Sequence, residues 1–436
     1  MHGLLEAGVR PGTDANIVAL LGSPTIETVV VLWASFDLGV PVALIHPKLG
    51  ARERQQRLAA MNPALWVDDA VAKDLGRAHA NGESDLPAPP TDDARPLALV
   101  ATSGTTGVPK LAVLSRAGSV EAAHASADNL GWLDDDRWFL CMPLAHVGGL
   151  SIVIRCLAAR RAVVMAGTSR FDPASFVAQV ERDRVTLASL VPTMLARVLD
   201  SVPEWSRPDY LRAVLLGGAP ATPGLIARAA ARRVPILTTY GLTEAGGQVT
   251  TQRFGTPPSI EQGSGSPLAG IEVCIHEHRV RVRGPNLMTG YWQVPGEHAF
   301  DADGWFTTGD LGELDERGRL HVLGRCTEMI VTGGENVFPS TVQRTLERCP
   351  EVASACVFGR RDEEWGEVVA AVLVPREPGA QPDAALAAFA RAELATHERP
   401  RWIAWATDLP TTDTGKVSAK TVAEIHGDKL RRLSFT

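Results

Sequence analysis

Short apolar runs alternate along most of the chain with stretches whose apolar residues return at helical spacing. Residues 16–22 predict a strand, 25–38 an apolar-spaced helix, 40–45 a second strand and 51–61 a charged helix. This rhythm predicts parallel α/β layers. A stretch rich in Pro and Asp, residues 85–96, reads as a loop or a linker between subdomains. The rhythm resumes with a strand over 97–102, a helix over 116–130 and a strand over 138–142. Strand 185–190 with helix 192–200, strand 213–216 with helix 222–232, and strand 236–239 continue it. From Gly263 the texture changes. Glycine, proline and short alternating strands dominate through Leu323, the pattern of a small β-barrel or antiparallel sheet. Past Arg325, strand 329–332, helix 339–348, strands 353–360 and 368–375, and helix 383–394 predict a small α+β unit. The fold class expected is α/β: a large layered N-terminal domain, 1–326, with a small mobile α+β domain, 327–436, after a boundary near 324–328.

Composition changes this picture little. The chain has 436 residues, 45% of them hydrophobic, enough for a large core and two or three domains. A net charge of -7 is far from the basic excess of a dedicated nucleic-acid binder. The local basic clusters at 52–57 and 228–233 are broken by alanines or polar residues and read as solvated helix faces. The six cysteines form no C-x-x-C pair, which fits free thiols in a reducing cytoplasm better than disulfides or zinc. Residues 1–10 lack a basic segment followed by an apolar one, so no secretory signal is expected. The longest apolar stretch, 26–45, is broken by Glu27, Asp37, Gly39 and Pro41, and reads as a buried helix and strand rather than a membrane span.

Four motifs carry candidate chemistry. Thr102-Ser-Gly-Thr-Thr-Gly-Val-Pro-Lys110 follows a predicted strand. Its glycines allow turns that aim backbone N–H groups at phosphate oxygens; its hydroxyls add donors and Lys110 adds charge. The spacing is not that of a Walker A loop, and alone such a loop is also the composition of a plain turn. Tyr240-Gly-Leu-Thr-Glu244 offers an aromatic face, a hydroxyl and a carboxylate suited to Mg²⁺ between phosphates, or a structural turn. Gly304-Trp-Phe-Thr-Thr-Gly-Asp310, followed by Gly324-Arg325, supplies a carboxylate suited to ribose hydroxyls, or a turn aspartate and a surface arginine. Pro410-Thr-Thr-Asp-Thr-Gly-Lys416 places a lysine on a Gly-containing loop. No G-x-S-x-G elbow occurs, and His276-Glu-His278 is not H-E-x-x-H but reads as a surface β-turn.

In this order and spacing the four motifs resemble the adenylate-forming superfamily of acyl-CoA synthetases, adenylation domains and luciferases. The resemblance extends to Gly217-Gly-Ala-Pro220 and Gly333-Gly-Glu-Asn-Val-Phe-Pro339 and covers nearly the whole chain. It implies the following roles. Thr102, Ser103, Gly104, Thr105, Thr106, Gly107 and Lys110 form the phosphate loop, with Gly218 and Ala219 beside the adenine. Tyr240 stacks on the adenine, next to Gly241. Thr243 and Glu244 serve phosphate and Mg²⁺, with Thr106 as a further metal contact. Asp310 and Arg325 hold the ribose, and Thr327 occupies the hinge. Gly333 and Gly334 line a pantetheine tunnel, and Lys416 is the lysine of the adenylation step. The implied chemistry uses ATP, Mg²⁺ and coenzyme A. A carboxylate attacks the α-phosphorus, pyrophosphate leaves, and a thiol then takes the acyl group from the acyl-AMP. No enzyme nucleophile is needed.

The acid is read from residues 143–157. An arginine, Arg155, sits within an almost wholly apolar helix predicted over 148–159. A buried arginine needs an anionic partner: a structural carboxylate, solvent reached by snorkelling, or a second carboxylate on the substrate. This stretch, with residues 188–193 and 265–270, is similar to the bacterial o-succinylbenzoate–CoA ligases of menaquinone synthesis. That resemblance implies that Arg155 and Ser189 belong to the substrate pocket, and the wider superfamily resemblance implies that His146 gates the acyl and CoA pockets. The chain starts close to its first helix, so a reduced opening segment is expected, and Thr327 stands where Asp or Lys is common at the hinge. Anthranilate- or benzoate-type acids, loading of a separate carrier protein instead of CoA, and a homodimer stay open at this stage.

Overall fold

In the computed structural model, which describes residues 1–12, 16–77, 86–88, 92–102, 110–166, 171–294, 299–411 and 417–435, the first apolar runs pair into a six-stranded sheet. Its order is Gly290–Tyr291, Leu111–Ser115, Pro96–Ala101, Val42–Ile45, Val18–Leu21, Leu65–Val67. The last four strands in this order are parallel, and their Val, Leu and Ala side chains are mostly buried, as expected of strands covered on both faces. The helix Ile26–Leu38 starts where the Thr25 hydroxyl accepts the Thr28 N–H at 3.2 Å and stops at Gly39, whose φ of 65° is left-handed.

A seven-stranded sheet follows, in the order Ser266–Pro267, Gly247–Thr251, Ile236–Leu242, Ala213–Leu216, Leu187–Leu190, Arg137–Leu140, Ala162–Met165. The five strands from Ile236–Leu242 to Ala162–Met165 are parallel. One face packs on the helices Pro173–Arg182, Pro192–Ser201 and Pro223–Ala231. The other face shares a core with Arg116–Leu130, Val147–Ala159 and the first sheet.

Two expectations are corrected. Both sheets are mixed, because antiparallel strands close their edges: Leu111–Ser115 and Gly290–Tyr291 in the first, Gly247–Thr251 and Ser266–Pro267 in the second. The strand expected to stop at residue 239 runs on to Leu242, because Gly247–Thr251 pairs with its second half.

Along the chain, Arg137–Leu140 is followed by Ala162–Met165 on one side and by Leu187–Leu190 on the other. That reversal opens a crevice at the carboxyl ends of the strands, where open α/β sheets bind ligands. The same ends of the two sheets meet here. Leu144 N–H donates to the Gly22 carbonyl at 3.1 Å, and the rings of His46 and His146 lie 4.9 Å apart.

The glycine-rich stretch forms an antiparallel four-stranded sheet, Glu272–His276, Arg279–Arg283, Phe306–Leu314, Leu320–Arg325. His276-Glu-His278 is its first turn, with Glu277 and His278 at positive φ. The chain leaves this sheet at Arg325, makes one 3-10 turn, Cys326–Glu328, and enters the last sheet at Ile330–Thr332. There Val352–Asp362 pairs with Gly366–Pro375, and helices Pro339–Leu346, Asp383–Glu393 and Ala419–His426 cover two separate cores.

Candidate active site

The strand registers bring distant motif residues together. Asp310, on Phe306–Leu314, pairs directly with Arg325 on the neighbouring strand, and Arg325 Nε lies 2.9 Å from its carboxylate. The other carboxylate oxygen accepts the Tyr240 hydroxyl at 2.7 Å. Asp310 is 7% exposed and Tyr240 8%, while the Arg325 side chain is 41% exposed. Burial, then the Asp310 charge and the hydrogen bond donated to it, hold the Tyr240 phenol well above its ordinary range, so it stays a donor. The Tyr240 ring belongs to the central core.

Gly218 and Ala219 follow the strand Ala213–Leu216, and Thr243 and Glu244 form a 3-10 turn after Ile236–Leu242. Those two strands are neighbours, so both segments emerge at one sheet end. Gly241 sits at a bulge, where an added Cβ would stand 2.1 Å from the Gly247 carbonyl oxygen; no other residue fits without moving backbone. One Glu244 oxygen accepts the Tyr291 hydroxyl at 3.1 Å, and the face of the same tyrosine carries Lys110 Nζ at 5.0 Å from its centroid. Thr102 N–H donates to the Lys110 carbonyl at 2.8 Å. Ser103, Gly104, Thr105, Thr106, Gly107 and Lys416 lie outside the described residues. Among the described residues no group of three or more His, Cys, Asp or Glu could cage a metal ion. A single carboxylate completed by phosphate oxygens and water is the pattern Mg²⁺ takes with nucleotides, and Glu244 fits it.

At the crevice, His146 stands at the N-terminus of the helix Val147–Ala159 and Arg155 lies within that helix. Arg155 is 3% exposed, and its Nε and Nη2 have no hydrogen-bond acceptor among the described residues. Burial pulls its pKa down to about 10, which leaves it charged at neutral pH. Leaving a buried charged donor unpaired costs more than the about 1–3 kcal/mol of a neutral one. Its guanidinium carbon sits 5.3 Å from the centroid of Trp138, and it lines a narrow void with Ser119, Leu150, Ser151 and Gly246. Trp138 Nε1 in turn donates to the Ser189 hydroxyl at 3.1 Å. The nearby thiols are not nucleophiles: burial pushes Cys141 and Cys156 up to about 12.

Thr327 lies in the 3-10 turn between the last two sheets, next to Cys326, whose Sγ donates to the Gly309 carbonyl at 3.0 Å. Gly333 and Gly334 form a two-residue hairpin turn with φ of 58° and 89°. A Cβ on Gly333 would stand 2.5 Å from the Trp365 ring, whereas nothing lies within 4 Å of one on Gly334. Trp365 is 36% exposed, with Arg401 stacked 4.3 Å from its centroid. Sequence reasoning missed Trp138, Tyr291, Trp365 and Arg401. Tyr291 had a signal, being one of only three tyrosines and sitting beside a glycine at the end of an apolar run. Trp138 had none, since a buried tryptophan on a strand reads as core.

The AMP-binding enzyme family matches residues 2–292, and the AMP-binding enzyme C-terminal domain family matches residues 341–416. A 2-succinylbenzoate–CoA ligase of Geobacillus kaustophilus is 36% identical over 95% of this chain and 88% of its own. The structure of o-succinylbenzoate CoA synthetase from Bacillus subtilis with its acyl-adenylate intermediate superposes with a TM-score of 0.83 at 30% identity, covering 95% of this chain and 89% of that one. The same Bacillus subtilis enzyme with ATP and magnesium ion gives 0.83 at 30% identity, over 96% and 91% of the two chains.

Proposed function

This chain belongs to the AMP-binding enzyme family, and we propose that it joins 2-succinylbenzoate to coenzyme A at the expense of ATP. The class of reaction is AMP-forming acid–thiol ligation. The observation that carries the choice of acid is Arg155, a buried guanidinium with donors left over and no carboxylate among the described residues to meet them. 2-Succinylbenzoate has two carboxylates. The succinyl one is activated, and the aromatic one is the counter-charge for Arg155.

The reading assigns each group a task. Asp310, oriented by Tyr240 and Arg325, accepts the ribose hydroxyls. Gly218 and Ala219 lie along the adenine. Lys110 and the flanking phosphate loop hold the β- and γ-phosphates, and Glu244 with Thr106 holds Mg²⁺, which neutralises phosphate charge when bound. Two anions, a carboxylate and the α-phosphate, must approach, and Lys416 offsets their repulsion in the transition state. The carboxylate oxygen bonds to the α-phosphorus as the bond to pyrophosphate breaks. In the second half-reaction the CoA thiol loses its proton, its sulfur bonds the acyl carbon, and AMP leaves. Gly334 leaves room for the pantetheine arm, Gly333 lets the Trp365 ring lie against the same turn, and Trp365 with Arg401 offers an aromatic face and a cation to the nucleotide end of CoA. We place the reaction in the cytoplasm: all six cysteines are free, and no helix among the described residues is long and apolar enough to cross a membrane.

The test is an acid panel read by pyrophosphate release, with and without CoA, for the native chain and Arg155→Ala. The native chain is expected to prefer 2-succinylbenzoate. Arg155→Ala should lose about 2–4 kcal/mol in kcat/KM for the diacid and far less for the analogue lacking the ring carboxylate. Best activity with simple monoacids, indifferent to Arg155, would overturn the choice of acid.

A further inference from the structure

We propose that Trp138 is the positioning residue that makes the acyl pocket select a hydrogen-bond-accepting carboxylate: its indole fixes Ser189 as a donor while its ring face carries the Arg155 guanidinium. The inference deepens the assignment of Arg155 and Ser189 to the acyl pocket and rests on it.

The geometry comes from the fold. Trp138 and Ser189 lie on the adjacent parallel strands Arg137–Leu140 and Leu187–Leu190, on either side of the point where strand order reverses. Register pairs Trp138 with Leu187, so Ser189 is two residues further on and faces the same side. That side is the one covered by the helix Val147–Ala159, which carries Arg155. Trp138 is fully buried, and it reaches both residues at once.

An indole N–H only donates. At 3.1 Å it therefore fixes the Ser189 hydroxyl as its acceptor and turns the serine proton elsewhere. No acceptor for that proton occurs among the described residues, and the same holds for Nε and Nη2 of Arg155. The ring thus joins two sets of unspent donors, buried at 7% and 3% exposure. Buried donors without acceptors beside this void favour a ligand that is all acceptor, a carboxylate, over a hydroxyl, which answers them with one oxygen and must still place its own proton, and over an ammonium, which cannot accept. An arginine alone selects charge; the tryptophan adds polarity to the serine, which by itself could donate or accept.

The experiment compares kcat/KM for 2-succinylbenzoate and for its analogue without the ring carboxylate in native enzyme, W138F, S189A, the W138F/S189A double variant and R155A. Phenylalanine keeps an aromatic face and removes the donor together with the volume of the pyrrole ring, a loss that both acids share. W138F is expected to lower the diacid value about tenfold, the size of one lost hydrogen bond to a charged partner, and the monoacid value far less. The double variant should be no worse than the worse single variant, since the indole acts through the serine. Equal losses on both acids in W138F, or independent addition in the double variant, would overturn the proposal. If R155A and S189A themselves leave the diacid preference intact, the pocket assignment fails; if they abolish it and W138F does not, only the role of Trp138 fails. A second measurement stands even if W138F does not fold. In protein labelled with ¹⁵N-tryptophan, S189A should shift one indole N–H signal, and the diacid but not the monoacid should shift the same signal in native enzyme. Absence of a shared signal would overturn the proposal as well.

Discussion

A single tyrosine shows how much one side chain can tie together. Tyr291 gives its hydroxyl to Glu244 and its ring face to Lys110, so the carboxylate proposed for Mg²⁺ and the lysine flanking the phosphate loop share one support. Tyr291→Phe keeps the ring and removes a hydrogen bond to a charged group, worth about 1.5–3 kcal/mol. The apparent affinity for Mg²⁺ at fixed ATP should fall about tenfold, with a smaller change in kcat at saturating metal. A fall in kcat alone, with the metal dependence unmoved, would mean that Tyr291 does not orient Glu244. The partners were not readable beforehand. Glu244, Asp310 and Arg325 announce themselves by type within short motifs, whereas Tyr291 and Trp138 matter through what register places opposite them, and register is set by pairing between distant strands.

At the scale of elements, buried apolar strands and the longer helices were mostly legible, whereas short, partly exposed strands and one capped helix were not. The helices Ala51–Met61 and Arg116–Leu130 fall where their spacing predicts. The strands Leu65–Val67 and Ala162–Met165 escaped because they are short and partly exposed, which weakens both the apolar run and the alternation. The helix Pro173–Arg182 escaped despite its signal: Asp172 accepts the Ser175 N–H at 2.8 Å, and Pro173 opens the first turn. One element has a pH dependence written into it. Glu347 ends the helix Pro339–Leu346, only 8% exposed. One oxygen accepts from Gln343 and from the Ala355 N–H, and the other has no partner among the described residues. Burial raises its pKa from 4.5 to about 7, against smaller downward pulls from those hydrogen bonds and the Arg344 charge. The folded chain therefore holds this proton more tightly than the unfolded one. Its stabilising contribution is complete below about pH 4.5 and is lost as pH rises through about 7. The loss amounts to at most about 3 kcal/mol. Denaturant unfolding of the full chain at pH 5 and pH 8 should show native protein losing stability relative to Glu347→Gln; parallel behaviour would contradict the buried proton.

At the scale of the whole molecule, two half-reactions are proposed to share one nucleotide site and to use two faces of the C-terminal unit in turn. The family was legible from the four motifs because the phosphate, ribose and metal chemistry proposed for them constrains residue type over a few positions each. The reading of the acid rested on Arg155 alone, because the helix and two strands proposed to form the pocket carry residues that otherwise read as core. Lys416 and the turn Gly333-Gly334 are proposed to act in turn, through rotation at Thr327 in the single 3-10 turn between the two sheets. The most direct measurement is a rapid-quench single turnover with 2-succinylbenzoate, ATP and Mg²⁺, first without CoA and then with it, on native enzyme, Lys416→Ala and Gly334→Leu. Native enzyme should accumulate acyl-AMP and consume it when CoA is added. Lys416→Ala should form acyl-AMP slower by orders of magnitude, yet convert supplied acyl-AMP to thioester far less impaired. Gly334→Leu, which adds bulk to a left-handed glycine, should release pyrophosphate nearly normally and fail at thioester formation. Thioester formation with no acyl-AMP preceding it, or equal loss of both steps in both folded variants, would contradict the account.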